Sequence, residues 1–298
     1  MPFVSTRQTP RRRLNTLWEK VVLEKDVDLQ EDEVTEATLE KYQIVRINCD
    51  FEKFDSTNVS LEPPVLFRPL SLEKLRSHPV DLQEHEVDFR DYNPPTDPEE
   101  LRRGYWDPVD CAGEISRYLK ALVFGFPVIG EPDLPSLAEF HGMSPVHYPN
   151  PLLLEDGGTD GRRWRSKLIL EYGKEDDKPV YPHVFLMTLH FGNGKDDSMK
   201  FGELSAIITM MRCRANQPKV DEDDQELEPR QLEFEKEKRF PVLMVSVMGP
   251  QHGRMFYACM DGGTLVIRQS RLFSFERKDT APWEVFQRVI VSCPLMEA

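Results

Sequence analysis

Three runs decide the fold: Phe240-Pro-Val-Leu-Met-Val-Ser-Val-Met248, Gly253-Arg-Met-Phe-Tyr-Ala-Cys-Met260 and Thr264-Leu-Val-Ile-Arg-Gln-Ser-Arg-Leu-Phe-Ser-Phe275. The first two are nearly continuous in apolar residues, and the third alternates. Gly249-Pro-Gln-His-Gly253 and Asp261-Gly-Gly263 separate them. Glycine takes a positive φ without a Cβ clash, and Asp-Gly between two apolar runs marks a hairpin. The stretch therefore predicts an antiparallel three-stranded meander with a buried face.

Upstream, Trp164–Tyr172 and Val180–Phe191 read as two strands, with Gly192-Asn-Gly194 turning the chain. Met199–Arg214 follows as a helix, because Leu204, Ile207, Ile208 and Met211 recur at i, i+3, i+4 and i+7 and make one apolar stripe. Arg212 and Arg214 fall in its last turn, where cations suit the helix dipole. The acidic stretch 221–238 reads as a solvated connection. Beyond the meander, Pro282–Ile290 is a helix with Trp283, Phe286 and Ile290 on one side. The order β-β-α-β-β-β-α predicts an α+β fold: a mainly antiparallel sheet in the C-terminal half, with its helices on one face.

The N-terminal half reads as mostly helical with long loops. A basic tail (Arg7, Arg11–Arg13) is expected to be disordered ahead of a short helix from Leu14 to Leu23. Residues 26–36 form an acidic, solvated loop. Thr35–Tyr42 is a helical turn or two, and Gln43–Cys49 a short strand. Between residues 50 and 97, Pro63-Pro64, Pro69, Pro79 and Pro94-Pro95 break any regular pattern, so an extended arm is expected, with one short helix at 71–77. Asp97-Pro and Asp107-Pro are helix starts. The second opens a helix from Pro108 to about Phe124, with Ile115, Leu119, Leu122 and Val123 on one face. Residues 141–161 are loop. The expected organisation is a tail and short helix (1–25), a helical, loop-rich region (26–161) and an α/β core domain (162–298).

The chain has 298 residues, 39% hydrophobic, 10% aromatic and 30% charged, with a formal net charge of −14. That acidity argues against polyanionic partners, so neither nucleic acid nor a membrane surface is expected. Cys49, Cys111, Cys213, Cys259 and Cys293 are scattered, odd in number and without a Cys-x-x-Cys pair, which predicts buried free thiols in a reducing compartment. An apolar leader and a membrane-length apolar run are both missing. A cytoplasmic location is expected, with a nuclear signal at Arg11–Arg13 as the alternative.

Candidate chemistry is sparse. Glu171, Asp176, Asp177 and Lys178 sit near strand ends, as in a magnesium-dependent nuclease, but the meander places no acid inside a strand. His141 and His147 share a loop and would form a metal site only with a third ligand. His183 and His190, seven apart on one strand, face opposite sides. Cys259 and His252 could approach each other across the hairpin as nucleophile and base, without a visible orienting group. Gly192-Asn-Gly194 is too short for a phosphate loop. Arg254, Arg268, Arg271 and Arg277 are expected to pair with the acidic 221–226 block or with a partner's acids.

The runs Glu203-Leu-Ser-Ala-Ile-Ile-Thr-Met-Met-Arg-Cys-Arg, Pro241-Val-Leu-Met-Val-Ser-Val-Met and Arg254-Met-Phe-Tyr-Ala-Cys-Met-Asp-Gly-Gly-Thr-Leu-Val-Ile-Arg resemble uncharacterised filamentous-fungal proteins over roughly the last third of the chain. The resemblance implies a fungal, soluble intracellular protein and carries no catalytic motif.

Taken together, these features predict a non-catalytic protein-interaction or regulatory module that binds another protein and needs no cofactor. The alternative is an enzyme, a hydrolase or a degenerate nuclease-like fold, with its site near His141, His147 or His252; the weak catalytic candidates are His252, Cys259, His141 and His147.

Overall fold

The computed structural model describes the chain apart from residues 1–8, 54–61, 83–86, 95, 103–105, 126–133, 147–163, 176–177, 180, 222–225, 228, 230 and 297–298. Its centre is an eight-stranded sheet. In chain order the strands are β1 (Ile44–Asn48), β2 (Met143–Pro145), β3 (Trp164–Tyr172), β4 (Val184–Asn193), β5 (Val242–Gly249), β6 (His252–Asp261), β7 (Thr264–Gln269) and β8 (Phe273–Ser274). In space they run β1-β7-β6-β5-β4-β3-β2, and β8 also pairs with β6.

The predicted meander is present: β5, β6 and β7 pair antiparallel through the expected turns, and Gly262 takes a φ of +57° at the second. The sheet as a whole, however, is mixed. β4 and β5 run parallel, as do β1 and β7. The first parallel pair follows from the helix between its strands. Two parallel neighbours need a crossover of a dozen or more residues, and α3 (Phe201–Ala215) supplies it.

The expectation of helices on one face is also corrected. Alternate residues of the central strands point to two separate cores. Leu243, Val245 and Val247 of β5 join Phe185, Met187, Leu189, Met255 and Tyr257 under α2 (Pro108–Phe124) and α4 (Trp283–Ile290). Val242, Met244, Phe256 and Ala258 pack on the opposite face under α3 and α1 (Pro10–Leu17). Every residue of β5 is buried. A strand covered on both sides has no solvated face to carry polar residues, which is why its sequence is apolar without alternation. The architecture is a helix layer, a sheet and a second helix layer.

The helices form where apolar periodicity places them, although the Asp107 side chain makes no capping hydrogen bond at the start of α2, and two differ from expectation. α2 buries Ile115, Leu119 and Val123, as its stripe predicts. α3 is buried on nearly all sides, not along one stripe, because α1 lies across its outer face. α1 itself extends further back than expected. Pro10 occupies its first turn, the Thr9 side chain accepts from the Arg12 amide, and the helix continues as a wider π-type turn over Trp18–Leu23. Arg11 and Arg13 are therefore not part of a free tail. Arg11 donates to the carbonyls of Ala215 and Phe234, and Arg13 to those of Gly263 and Tyr42.

The proline-rich arm packs against the sheet. Val65, Phe67, Leu70, Leu75 and Phe89 are buried in the α2 core, Ser71 caps a short helix at Leu72–Arg76, and Phe67–Arg68 pairs with Cys293–Pro294. The acidic loop at 26–36 is ordered as a small hairpin of Leu29–Gln30 with Glu33–Val34. Among the described residues, no helix is long and apolar enough to cross a membrane.

Candidate functional site

A cluster of fully buried polar residues lies where parallel strands β4 and β5 end and α3 begins, the place where an α/β sheet most often builds a site. Glu203, on the first turn of α3, is fully buried. Its carboxylate accepts Nε and Nη2 of Arg254 on β6 at 2.8 and 2.7 Å, the Ser246 hydroxyl at 2.6 Å and the Lys200 amide at 2.7 Å. Burial alone would raise the Glu203 carboxyl; the Arg254 guanidinium, the His190 ring and the Ser246 hydroxyl together outweigh it and hold the carboxyl below its ordinary range. Arg254 uses Nη1 on the carbonyls of Lys195 and Ser198. The Lys200 ammonium lies between Asp32 and Glu33, at 3.4 and 3.3 Å.

This cluster has no room for a substrate. A Cβ placed on Gly202 would come within 2.6 Å of Trp164 and 2.9 Å of His190. The His190 ring meets the Thr188 hydroxyl at 3.2 Å, and burial pulls its pKa down to about 4. The arrangement ties the β4–α3 loop to the middle of the sheet. Its chemistry is that of a clamp.

The sequence-derived candidates do not converge. His252 and Cys259 lie on the same strand, β6, not across a hairpin from each other. Seven positions at about 3.3 Å each put them some 23 Å apart. His252 borders Glu276 and Asp196, and burial lowers its pKa; Cys259 is buried, and burial raises its thiol. His141 sits beside the Phe140 ring and near Lys74 and His78, its pKa also lowered by burial. His147 lies outside the described residues. His183 contacts Phe67 on one side of the sheet and His190 contacts α3 on the other, as their spacing predicts. Among the described residues, no group of three His, Cys, Asp or Glu could hold a metal.

The nuclease-like set does not assemble either. Glu171 is buried in an ion pair with Arg214 at 2.9 Å, Lys178 belongs to a separate two-residue strand, and Asp176 and Asp177 lie outside the described residues. The arginines expected to meet the 221–226 block have other partners: Arg254 meets Glu203, Arg268 the Pro63 carbonyl, Arg271 Glu52 and Arg277 Asp91. Residues 222–225 of that block lie outside the described residues. Two clefts, of about 410 and 470 Å³, are lined by charges that pair with one another, Arg46 with Glu36 in the first and Arg117 with Glu114 in the second.

The remaining feature is an edge of the sheet. β1 is its outermost strand, bonded on one side to β7 in an unbroken register from Ile44↔Leu265 to Asn48↔Gln269. The Gln43 carbonyl accepts from Leu265, and the Cys49 amide donates to Gln269. Odd positions therefore carry the ladder to β7, and the backbone groups of Ile44, Arg46 and Asn48 face outward. Val45 and Ile47 share one side of the strand and are 43% and 38% exposed. The Arg46 side chain, on the other side, pairs with Glu36. β1 contains no proline or bulge, and its one charge, Arg46, is held by Glu36. The opposite edge, β2, is three residues long and ends in Pro145. The sequence showed a strand at 43–49; that it lies at an edge follows only from long-range pairing.

No protein-family model, curated protein or solved structure matches the chain.

Proposed function

We propose that the protein is a non-catalytic interaction module whose docking element is the outer edge of β1. The observation that carries this reading is the pairing of outward backbone groups at Ile44, Arg46 and Asn48 with the exposed apolar side chains of Val45 and Ile47. An extended segment laid along such an edge gains main-chain hydrogen bonds, while its alternate side chains meet Val45 and Ile47. The sequence-derived candidates that do not converge and the paired charges Arg46–Glu36 and Arg117–Glu114 in the two clefts favour binding over catalysis.

The test compares proteins retained from a cell extract by the wild type and by the Val45→Lys/Ile47→Lys variant. Both positions are exposed, so the variant keeps its fold, checked by circular dichroism and urea unfolding. The expected result is a set retained by the wild type and lost by the variant. Identical retention would remove β1 as the docking element.

A further inference from the structure

We propose that the strand received by β1 is β1 of a second copy of this chain, paired antiparallel about a two-fold axis at Arg46. This inference rests on the reading of β1 as a docking edge and names its occupant.

The register leads to it. Because the even positions face outward, they must form the hydrogen-bonded pairs of any new ladder. Centring the axis on Arg46 makes these Ile44 with Asn48 of the copy, Arg46 with Arg46, and Asn48 with Ile44. The odd positions then form the non-hydrogen-bonded pairs, in which side chains approach most closely. Val45 falls opposite Ile47 of the copy, and Ile47 opposite its Val45. The two most exposed apolar side chains of the strand thus cover each other, in one cluster of four on the α2 side of the sheet. A two-fold interface requires a patch complementary to itself, and all five residues of this strand overlap only when the axis passes through Arg46.

Charge fits the same arrangement. The two Arg46 side chains meet on the opposite side, and like charges placed face to face would repel. Each already holds the carboxylate of Glu36, whose side chain is 66% exposed and free to span the axis. Two guanidinium groups and two carboxylates then alternate. A two-fold pairing uses the same edge of both copies, so it closes at two and does not run on as a fibre.

The contact is small. One five-residue strand from each copy buries less than the roughly 800 Å² per partner typical of stable complexes. Each chain also carries a formal charge of −14. The dimer is therefore reversible, concentration-dependent and strengthened by salt, which screens the repulsion between copies.

Sedimentation velocity of the full chain, from about 1 μM to about 1 mM, tests this at low and high salt. The expected result is a mass that rises toward twice the monomer, rises further in salt, and stays at the monomer value throughout for Val45→Lys/Ile47→Lys. In a Cys49→Ser background, Val45→Cys and Ile47→Cys chains mixed under mild oxidation should form a disulfide-linked pair more readily than either alone, as the register demands. A monomer at every concentration, a dimer that survives the lysine variant, or equal cross-linking in mixed and separate samples would each overturn self-pairing. If the lysine variant still loses proteins that the wild type retains from extract, β1 remains the docking edge and only its occupant changes. If neither measurement responds to the variant, both proposals fall.

Discussion

The Arg254 guanidinium grips both carboxylate oxygens of Glu203, with 1% and 0% of the two side chains exposed. Removing one member of such a pair leaves an unpaired buried charge. Glu203→Gln and Arg254→Met should each cost about 3–5 kcal/mol in urea unfolding, with a double-variant cost well below the sum. Single variants within about 0.5 kcal/mol of wild type would show that the clamp contributes little.

Stability should fall in mildly acidic solution. Burial holds His190 and His183 to pKa values of about 4, against 6.5 for a free imidazole. Between those values the unfolded chain binds protons that the folded chain refuses, so stability rises with pH across the window and is lost as pH falls from about 6.5 to 4. Glu203 adds to the loss at the lower end. Its folded pKa lies below the ordinary 4.5, so its contribution is present above that value and disappears as pH drops through the folded pKa. Urea midpoints from pH 7 to pH 4 in His190→Gln should show a shallower slope than wild type; an unchanged slope would exclude His190 as a source.

Two glycines in helices should respond to alanine with opposite signs. At Gly113 in α2, a Cβ meets nothing within 4 Å, so Gly113→Ala should gain up to about 1 kcal/mol from helix propensity. At Gly202 in α3 the same atom would lie 2.6 Å from the Trp164 ring. Gly202→Ala should instead lose about 1–3 kcal/mol, as overpacked cores do. Thermal unfolding of the two variants side by side measures the contrast.

The arm at 65–76 should resist protease although it is rich in basic residues. Phe67 is 2% exposed and stacks edge-on against His183 and Tyr257. Its backbone pairs with Cys293–Pro294. Trypsin should cut after Lys74 and Arg76 no faster than the native state opens, whereas Lys53, with an 85% exposed side chain, is open to it. Mass spectrometry of early fragments decides this; prompt cleavage after Lys74 or Arg76 would mean that the arm is not held.

The elements of this fold were more legible than its connections. Turn glycines and apolar runs sufficed to place β5, β6 and β7, and Asp107-Pro108 with its apolar stripe sufficed for α2, because these signals are local. The parallel pairing of β4 with β5 was also available, since a helix between two strands is the usual means of making parallel neighbours. The nearly continuous apolar character of residues 242–248, broken only by Ser246, signalled burial on both faces, where a single buried face was expected. For the buried ion pair the clue was chemical: Glu203 and Arg254 are charges inside otherwise apolar segments, and such charges need partners. Which partner each would find depends on packing that no local pattern encodes. The same limit applies to Val45 and Ile47, whose alternation with Arg46 marks a strand but leaves its neighbours open.

The partnership of β1 with β7 has a consequence for how the protein is made. Residues 44–48 leave the ribosome long before the strand that receives them, 264–269. Closing so long a loop adds little to the equilibrium cost, because that cost grows only with the logarithm of length, but contacts this distant in sequence slow folding. Until 264–269 emerge, Val45 and Ile47 therefore travel on a strand without its β7 partner. A chain halted anywhere before Gln269 lacks the strand that β1 needs, which makes this protein a demanding client for the chaperones that meet nascent chains.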